Sequence, residues 1–166
     1  NNGQYIRHWG GHKNANKALN LNNTHGIGVD TRDPNNHHLL VSSRAERQIK
    51  KYSLDGNLIG AIELPGAYVG GPIFKGEHFY APVCWSHIDN KMAPNSGFIT
   101  ILDKNNKVVS NPGGLEPEYN NGQLQPMKSA YNVFNHCHAV CVDLGEHLYV
   151  GQWNANQCYP IKGERV

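Results

Sequence analysis

The sequence predicts an all-β protein built from repeated four-stranded units, a β-propeller. Three observations predict it. Eighteen glycines, nine prolines and many asparagines among 166 residues suit strands joined by tight turns. The segment "HGIGVD" (25–30) recurs as "HAVCVD" (138–143), which aligns His25, Ile27, Val29 and Asp30 with His138, Val140, Val142 and Asp143. "GEHFYAP" (76–82) and "GEHLYVG" (145–151) share a Gly-Glu-His-x-Tyr spacing, and self-similarity of this kind marks a repeat architecture.

The elements follow in order. Residues 1–24 form the end of a preceding unit and a connection, with "GQYIRHWG" as its last strand. The first blade spans 25–64: "HGIGVD", the turn "TRDPNN", the short strand "HHLLVSSR", then "QIKKYSL", an Asp-Gly turn and "NLIGAIEL". Four such strands in roughly forty residues make one propeller blade. The second blade spans 66–111, with inner strands in "GGPIFKG" and "EHFYAPVCW" and an outer hairpin in "GFITILDKNNKVVSNPG". "SHIDNKMAPNS" is an insertion within it, the kind of loop that carries specificity on a rigid scaffold. A polar stretch over 112–135 connects to the third blade, 136–166, whose outer strand is not visible in the sequence. Three blades and a loose strand do not close a ring, because propellers carry four to eight. The expectation is a piece of a longer chain; the alternative is a second copy that completes the ring and covers its open sheet edges.

Fifteen basic and thirteen acidic residues give a formal charge of +2, too small to imply a nucleic-acid partner, and none is expected. The densest basic stretch, "RAERQIKK", reads as a solvated strand face. No run approaches the ~18 apolar residues of a membrane span. No signal peptide is visible, and the chain opens on "NNGQ" rather than Met, so secretion is not read from it directly. Four cysteines, Cys84, Cys137, Cys141 and Cys158, permit three pairings if all are oxidised. Cys141 alternates with Val140 and Val142 as a strand residue; the others lie nearer turns. Free buried thiols and disulfides both remain open.

With these segments laid out, the chain resembles the NHL-repeat propellers, and in particular bacterial secreted relatives of peptidyl-α-hydroxyglycine α-amidating lyase. The likeness rests on "HGIGVD…LLVSSRAERQIKKYSLDG", on "HAVCVD…LYVGQWN…YPIKGERV" and on "GFITILDKNNKVV" as an outer hairpin. It implies that the three blades belong to a six-bladed ring, and it implies an extracellular or periplasmic location. It also implies an axial zinc held by three histidines that open inner strands of alternate blades. The matching positions are His25 and His138, two blades apart; the middle blade has "GGP" there. Neutral imidazoles suit zinc, and three protein ligands leave one position open. The third ligand would come from elsewhere. Calcium in a structural role is the other cation considered.

Each residue singled out has a plainer reading as well. His25 and His138 could be structural or pocket-lining rather than ligands. His136 adjoins His138 but misses the aligned position. His87, in the insertion, and His37 and His38, beside the "DPNN" turn, read as surface residues. Asp30 and Asp143 end the first strands and cap the following turns. Arg44 follows an inner strand, where the resemblance implies a substrate-side arginine able to bind a carboxylate bidentately; an inter-blade salt bridge is the alternative. Trp153 lines the same end as Arg44, as blade packing or as a ligand platform. The family's tyrosine matches neither Tyr80 nor Tyr149 clearly, and no catalytic residue is assigned.

Function therefore stays open between classes. One is an exported, metal-dependent, lyase-like enzyme acting on a small molecule or peptide. The other is a non-catalytic propeller that binds a protein, peptide or glycan, or that serves as a structural subunit of an extracellular assembly.

Overall fold

The structure, a computed structural model, describes residues 2–88, 91–130, 133–153, 156 and 159–164, with the side chains of 87, 88 and 91 excepted. The chain is all-β, in several antiparallel sheets, none of them closed on itself. The first sheet is a meander of β1 (Thr24–Asp30), β2 (His38–Ser43), β3 (Gln48–Ser53) and β4 (Leu58–Glu63), each paired to the next. Its turns come from the residues expected to close them. Gly56 sits at φ +84 between β3 and β4, and Asp30 Oδ1 accepts the Arg32 N–H after β1.

The second sheet is organised by one long strand. It comprises β5 (Ala67–Val69), β6 (Ile73–Lys75), β7 (His78–Ile88), β8 (Lys91–Met92), β9 (Phe98–Leu102) and β10 (Val108–Ser110). On one side β7 pairs first with β6 and then with β5; on the other it pairs with β9 and, near its end, with β8. The stretch expected as an inserted loop thus continues β7 and turns back as β8, although Asp89, Asn90 and the His87 side chain lie outside the described residues. In the connection, β11 (Tyr119–Asn120) and β12 (Gln123–Leu124) form a hairpin tied down by the Tyr119 hydroxyl, which donates to Val108 O at 3.0 Å. The third sheet is β13 (Cys137–Val142), β14 (Leu148–Gln152) and β15 (Ile161–Gly163).

The period-2 alternation of the middle sheet explains how the three are held together. Phe79, Ala81 and Val83 of β7, with Phe98 and Leu102 of β9, are fully buried in a core shared with Leu40 and Ile49 of the first sheet. Tyr80 and Ile99, one residue out of phase, enter a second core with Val140 and Val150 of the third sheet. Each side chain of this size withdrawn from water contributes about 1.5–3 kcal/mol. Close approach between the first two sheets needs glycine: a Cβ on Gly26 would stand 2.1 Å from the Cα of Gly71.

Three expectations change. Residues 2–16 contain no strand; they lie against the first sheet, with Trp9 edge-on to Tyr52 at 6.3 Å and Arg7 paired to Asp55 at 2.9 Å. The residues that follow it, 18–20, help convert "RAERQIKK" from a solvated face into a partly buried one. Lys50 is 3% exposed, its ammonium donating to Ala18 O and Asn20 O and pairing with Glu46 at 3.1 Å. His38 is also buried rather than at the surface, at 7% exposure, and burial holds its pKa below the usual histidine range. On the face turned away from the second sheet, Ile27 and Val29 of β1 remain 57% and 49% exposed.

Candidate histidine–arginine site

Two features place His25 and His138 alike. The residue two before each is in the left-handed region, Asn23 and His136 both at φ 56. Each strand then carries a register irregularity at its start, between Thr24 and Ile27 in β1 and between Cys137 and Ala139 in β13. Such bulges re-aim one side chain out of the pleat and concentrate beside functional sites. The following strands return in the same way: the Arg44 N–H donates to Asn23 O at 3.3 Å, and the Trp153 N–H to His136 O at 2.9 Å. Ser42 secures the first bulge, its hydroxyl accepting from the His25 N–H at 3.0 Å and donating to Gly26 O at 3.3 Å.

The outcome is convergence. The His25 and His138 rings, from the first and third sheets, lie 5.9 Å apart between centroids and 78° apart in plane, both on exposed residues. His25 Nδ1 lies 3.2 Å from Asn23 O. A carbonyl only accepts, so Nδ1 carries the proton and Nε2 keeps its lone pair. Burial first, then the neighbouring Arg44 charge and the His25 ring, hold the His138 pKa below the ordinary value, so that ring is neutral at pH 7.

Arg44 lies close enough to His138 for its charge to help lower that ring's pKa. It is 2% exposed; its Nε donates to Val69 O at 3.2 Å and its guanidinium carbon stands 5.6 Å from the centre of the Trp85 ring. Nη2 has no hydrogen-bond partner, and no acidic side chain among the described residues pairs with this charge. The salt bridge considered for it is therefore absent among the described residues. Nη2 is itself buried, and a Cβ on Gly70 would lie 3.6 Å from it and 3.2 Å from His138 O.

Trp153 is reached through Trp85. The two indoles meet edge-on at 5.6 Å, and the His136 ring contacts both, at 5.4 Å from Trp85 and 5.9 Å from Trp153. Trp153 is 47% exposed. His136 is 8% exposed and its Nδ1–H donates to Cys84 O at 3.3 Å, which makes it a strut between β7 and the third sheet. The sequence offers only its place in "HCH" as a hint of this. Trp85 carried no signal at all: its role depends on the pairing of β5 with β7, which is long-range. Cys84 and Cys137 are free and fully buried; burial pushes the Cys84 thiol up to about 11 and the Cys137 thiol higher still. Neither is a nucleophile at neutral pH. Cys141 is free and exposed, and Cys158 lies outside the described residues.

As a metal centre the arrangement is half-built. Two imidazoles on one zinc, with nitrogens at ~2.0–2.1 Å, have ring centres about 5–6 Å apart, which the His25–His138 pair satisfies. Among the described residues, however, no group of three or more His, Cys, Asp or Glu is placed to hold an ion, and a zinc site takes at least three protein ligands. The same finding supplies no acidic cage for calcium. Asp143, the repeat partner of Asp30, caps its turn as expected, accepting from the His147 N–H at 3.0 Å and from the Tyr149 hydroxyl at 3.1 Å. A groove of about 880 Å³ between β4 and the β11–β12 hairpin is lined by Glu63, Lys107 and Tyr119 among others. Compared with known proteins, the chain matches no family model and no curated protein.

Proposed function

We propose that the chain forms three consecutive blades of an NHL-type β-propeller, and that His25 and His138 are two ligands of one axial zinc ion in an exported, lyase-like enzyme. The observation that carries this reading is the meeting of two imidazoles from equivalent positions in the first and third sheets, at 5.9 Å. The face-to-face stacking of the sheets supports it too. Val140 of the third sheet packs on the second, whereas Ile27, at the same repeat position in the first sheet, is 57% exposed and has the composition to receive another blade. That blade, from outside the described residues or from a second copy, would also bring the third histidine.

Zinc bound there would polarise a substrate oxygen. The chain's own residues have separable tasks. His25 is held in one tautomer by Asn23; Arg44 binds and orients an anionic group; Trp153 offers an exposed aromatic face to the apolar part of a ligand. A non-catalytic binding propeller is the second reading, favoured by that exposed indole, which stacks on sugars and peptides without any metal. Metal analysis of the intact protein, freshly isolated, separates the two. Stoichiometric zinc that is lost in His25→Ala and in His138→Ala, with the β signal unchanged in circular dichroism, supports the enzyme. Metal-free protein with both histidines intact supports the binding module.

A further inference from the structure

We infer that the outer edge of β4 is a docking site for one extended peptide segment, which adds as a fifth strand to the first sheet in the groove walled by the β11–β12 hairpin. The site shares no lining residue with the histidine–arginine cluster and requires no metal. The ladder fixes which peptide groups face the groove. Gln48 stands opposite Glu63, so Arg47 and Leu64 stand opposite each other one step on. The Leu64 N–H donates to Arg47 O at 2.9 Å, which makes that a hydrogen-bonded pair. Counting back by twos, Ile62 and Gly60 bond to Ile49 and Lys51 of β3, whereas Ala61 and Glu63 turn their N–H and C=O groups away from it. No backbone group among the described residues takes up these outward donors and acceptors.

An edge of this kind is ordinarily blunted by lysine, proline or a covering element. β4 reads LIGAIE, with neither residue. The neighbouring edge is treated differently, because the Tyr119 hydroxyl caps Val108 O of β10 at 3.0 Å. The hairpin thus closes one edge and leaves the other open across a groove of about 880 Å³. The walls specify the occupant. Ile62, Val108, Tyr119 and Leu124 offer one apolar side, so the added strand carries apolar side chains at alternate positions. Two exposed charges complete the lining. Lys107 lies 4.9 Å from the centre of the Tyr119 ring, and Glu63 accepts from Gln48 Nε2 at 2.7 Å. Neither forms a salt bridge among the described residues. A segment with an acidic residue for Lys107 and a basic one for Glu63 complements both. The hairpin stands where the sheet of a second copy would have to continue, so the occupant is a single strand.

The test uses the full chain and, as probe, the blocked peptide acetyl-Glu-Val-Thr-Val-Thr-Val-Lys-amide, followed by backbone amide NMR and hydrogen exchange. The Ala61 and Glu63 amides should exchange fast in the free protein and at least about tenfold more slowly at saturation, while Ile62, already bonded to β3, stays unchanged. The same peptide N-methylated at every residue should not bind. Ala61→Pro removes an N–H that the ladder does not use, and should bind at least about tenfold more weakly. Lys107→Glu combined with Glu63→Lys should invert the preference between this peptide and the one with its Glu and Lys exchanged. Slow exchange of the Ala61 and Glu63 amides in the free monomer overturns the inference. So does the lack of any saturable response to the peptide, or equal binding of the N-methylated one. Self-association that protects the same two amides as protein concentration rises assigns the edge to a second copy, and also overturns it. All these outcomes hold even if Ala61→Pro does not fold.

Discussion

Arg32 is expected to be the most costly charged residue to remove, because it clamps the first sheet to the second. Its Nε and Nη2 bind the two oxygens of Asp30 at 2.8 and 2.7 Å. Nη1 donates to Asp103 O and Nη2 to Asn106 Oδ1, both at 2.8 Å, in the turn between β9 and β10. The guanidinium also stands 5.5 and 5.2 Å from the Phe74 and Phe79 rings. The two side chains of the ion pair are only 7% and 10% exposed. Arg32→Ala leaves a buried carboxylate without its partner, a loss of about 3–5 kcal/mol. Burial alone raises the Asp30 pKa, but the Arg32 hydrogen bonds and charge outweigh it and the net value is depressed. A depressed carboxylate stabilises the fold above its unfolded pKa of about 4 and loses that contribution as pH falls through the folded value. In Arg32→Ala burial remains and the sign reverses, so protonating Asp30 relieves the defect. The difference between wild type and variant in urea unfolding should therefore narrow as pH drops from 7 towards 4. Asp30→Asn combined with Arg32→Met should cost less than Arg32→Ala alone. A difference under about 1 kcal/mol that ignores pH would refute the argument and reduce the pair to a surface contact.

Three further outcomes are expected. Gly26→Ala places a Cβ 2.1 Å from the Gly71 backbone, so the first two sheets must part; a loss of about 3 kcal/mol or failure to fold is expected by thermal unfolding, and a neutral effect would contradict the packing. Thiol labelling of the native protein at pH 8 should mark Cys141 and spare Cys84, whose pKa is about 11, and Cys137 until denaturant is added; fast native labelling of either buried thiol would contradict the assignment. His138 should titrate below the ~6.5 of an unperturbed histidine in an imidazole-proton NMR titration, and Arg44→Gln should move its midpoint up, because the cation that opposes protonation is gone; no movement would contradict their proximity.

What was legible in the sequence is what depends on local pattern. The alternation around Ile27 and Val140 gave the strands, the Asp-Gly and Asn-rich segments gave the turns, and the two "H…VD" segments placed His25 and His138 at equivalent positions. The long-range facts were not legible. Strand alternation tells which side chains share a face but not what covers it, so Lys50 read as solvated although residues 18–20, some thirty positions upstream, bury it. Arg32 looked like a turn residue because its partners Asp103 and Asn106 are over seventy positions away. That Arg44 has no acidic partner among the described residues is a property of the whole neighbourhood, since it depends on every strand packed around it. The bulges at β1 and β13 leave no mark in composition, yet they aim the two imidazoles.

The central claim is that His25 and His138 act on one ligand, and the ring nitrogens report on it directly. A long-range ¹⁵N–¹H spectrum of the histidine side chains of the full protein, taken without and with one equivalent of zinc, gives the tautomer and ligation state of each ring. The account requires His25 to be Nδ1-protonated before zinc is added, as its bond to Asn23 O dictates, and His25 at Nε2 and His138 at one ring nitrogen to shift together, with one stoichiometry, when zinc is present. Resonances that stay unmoved, or a shift confined to one of the two rings, would contradict it.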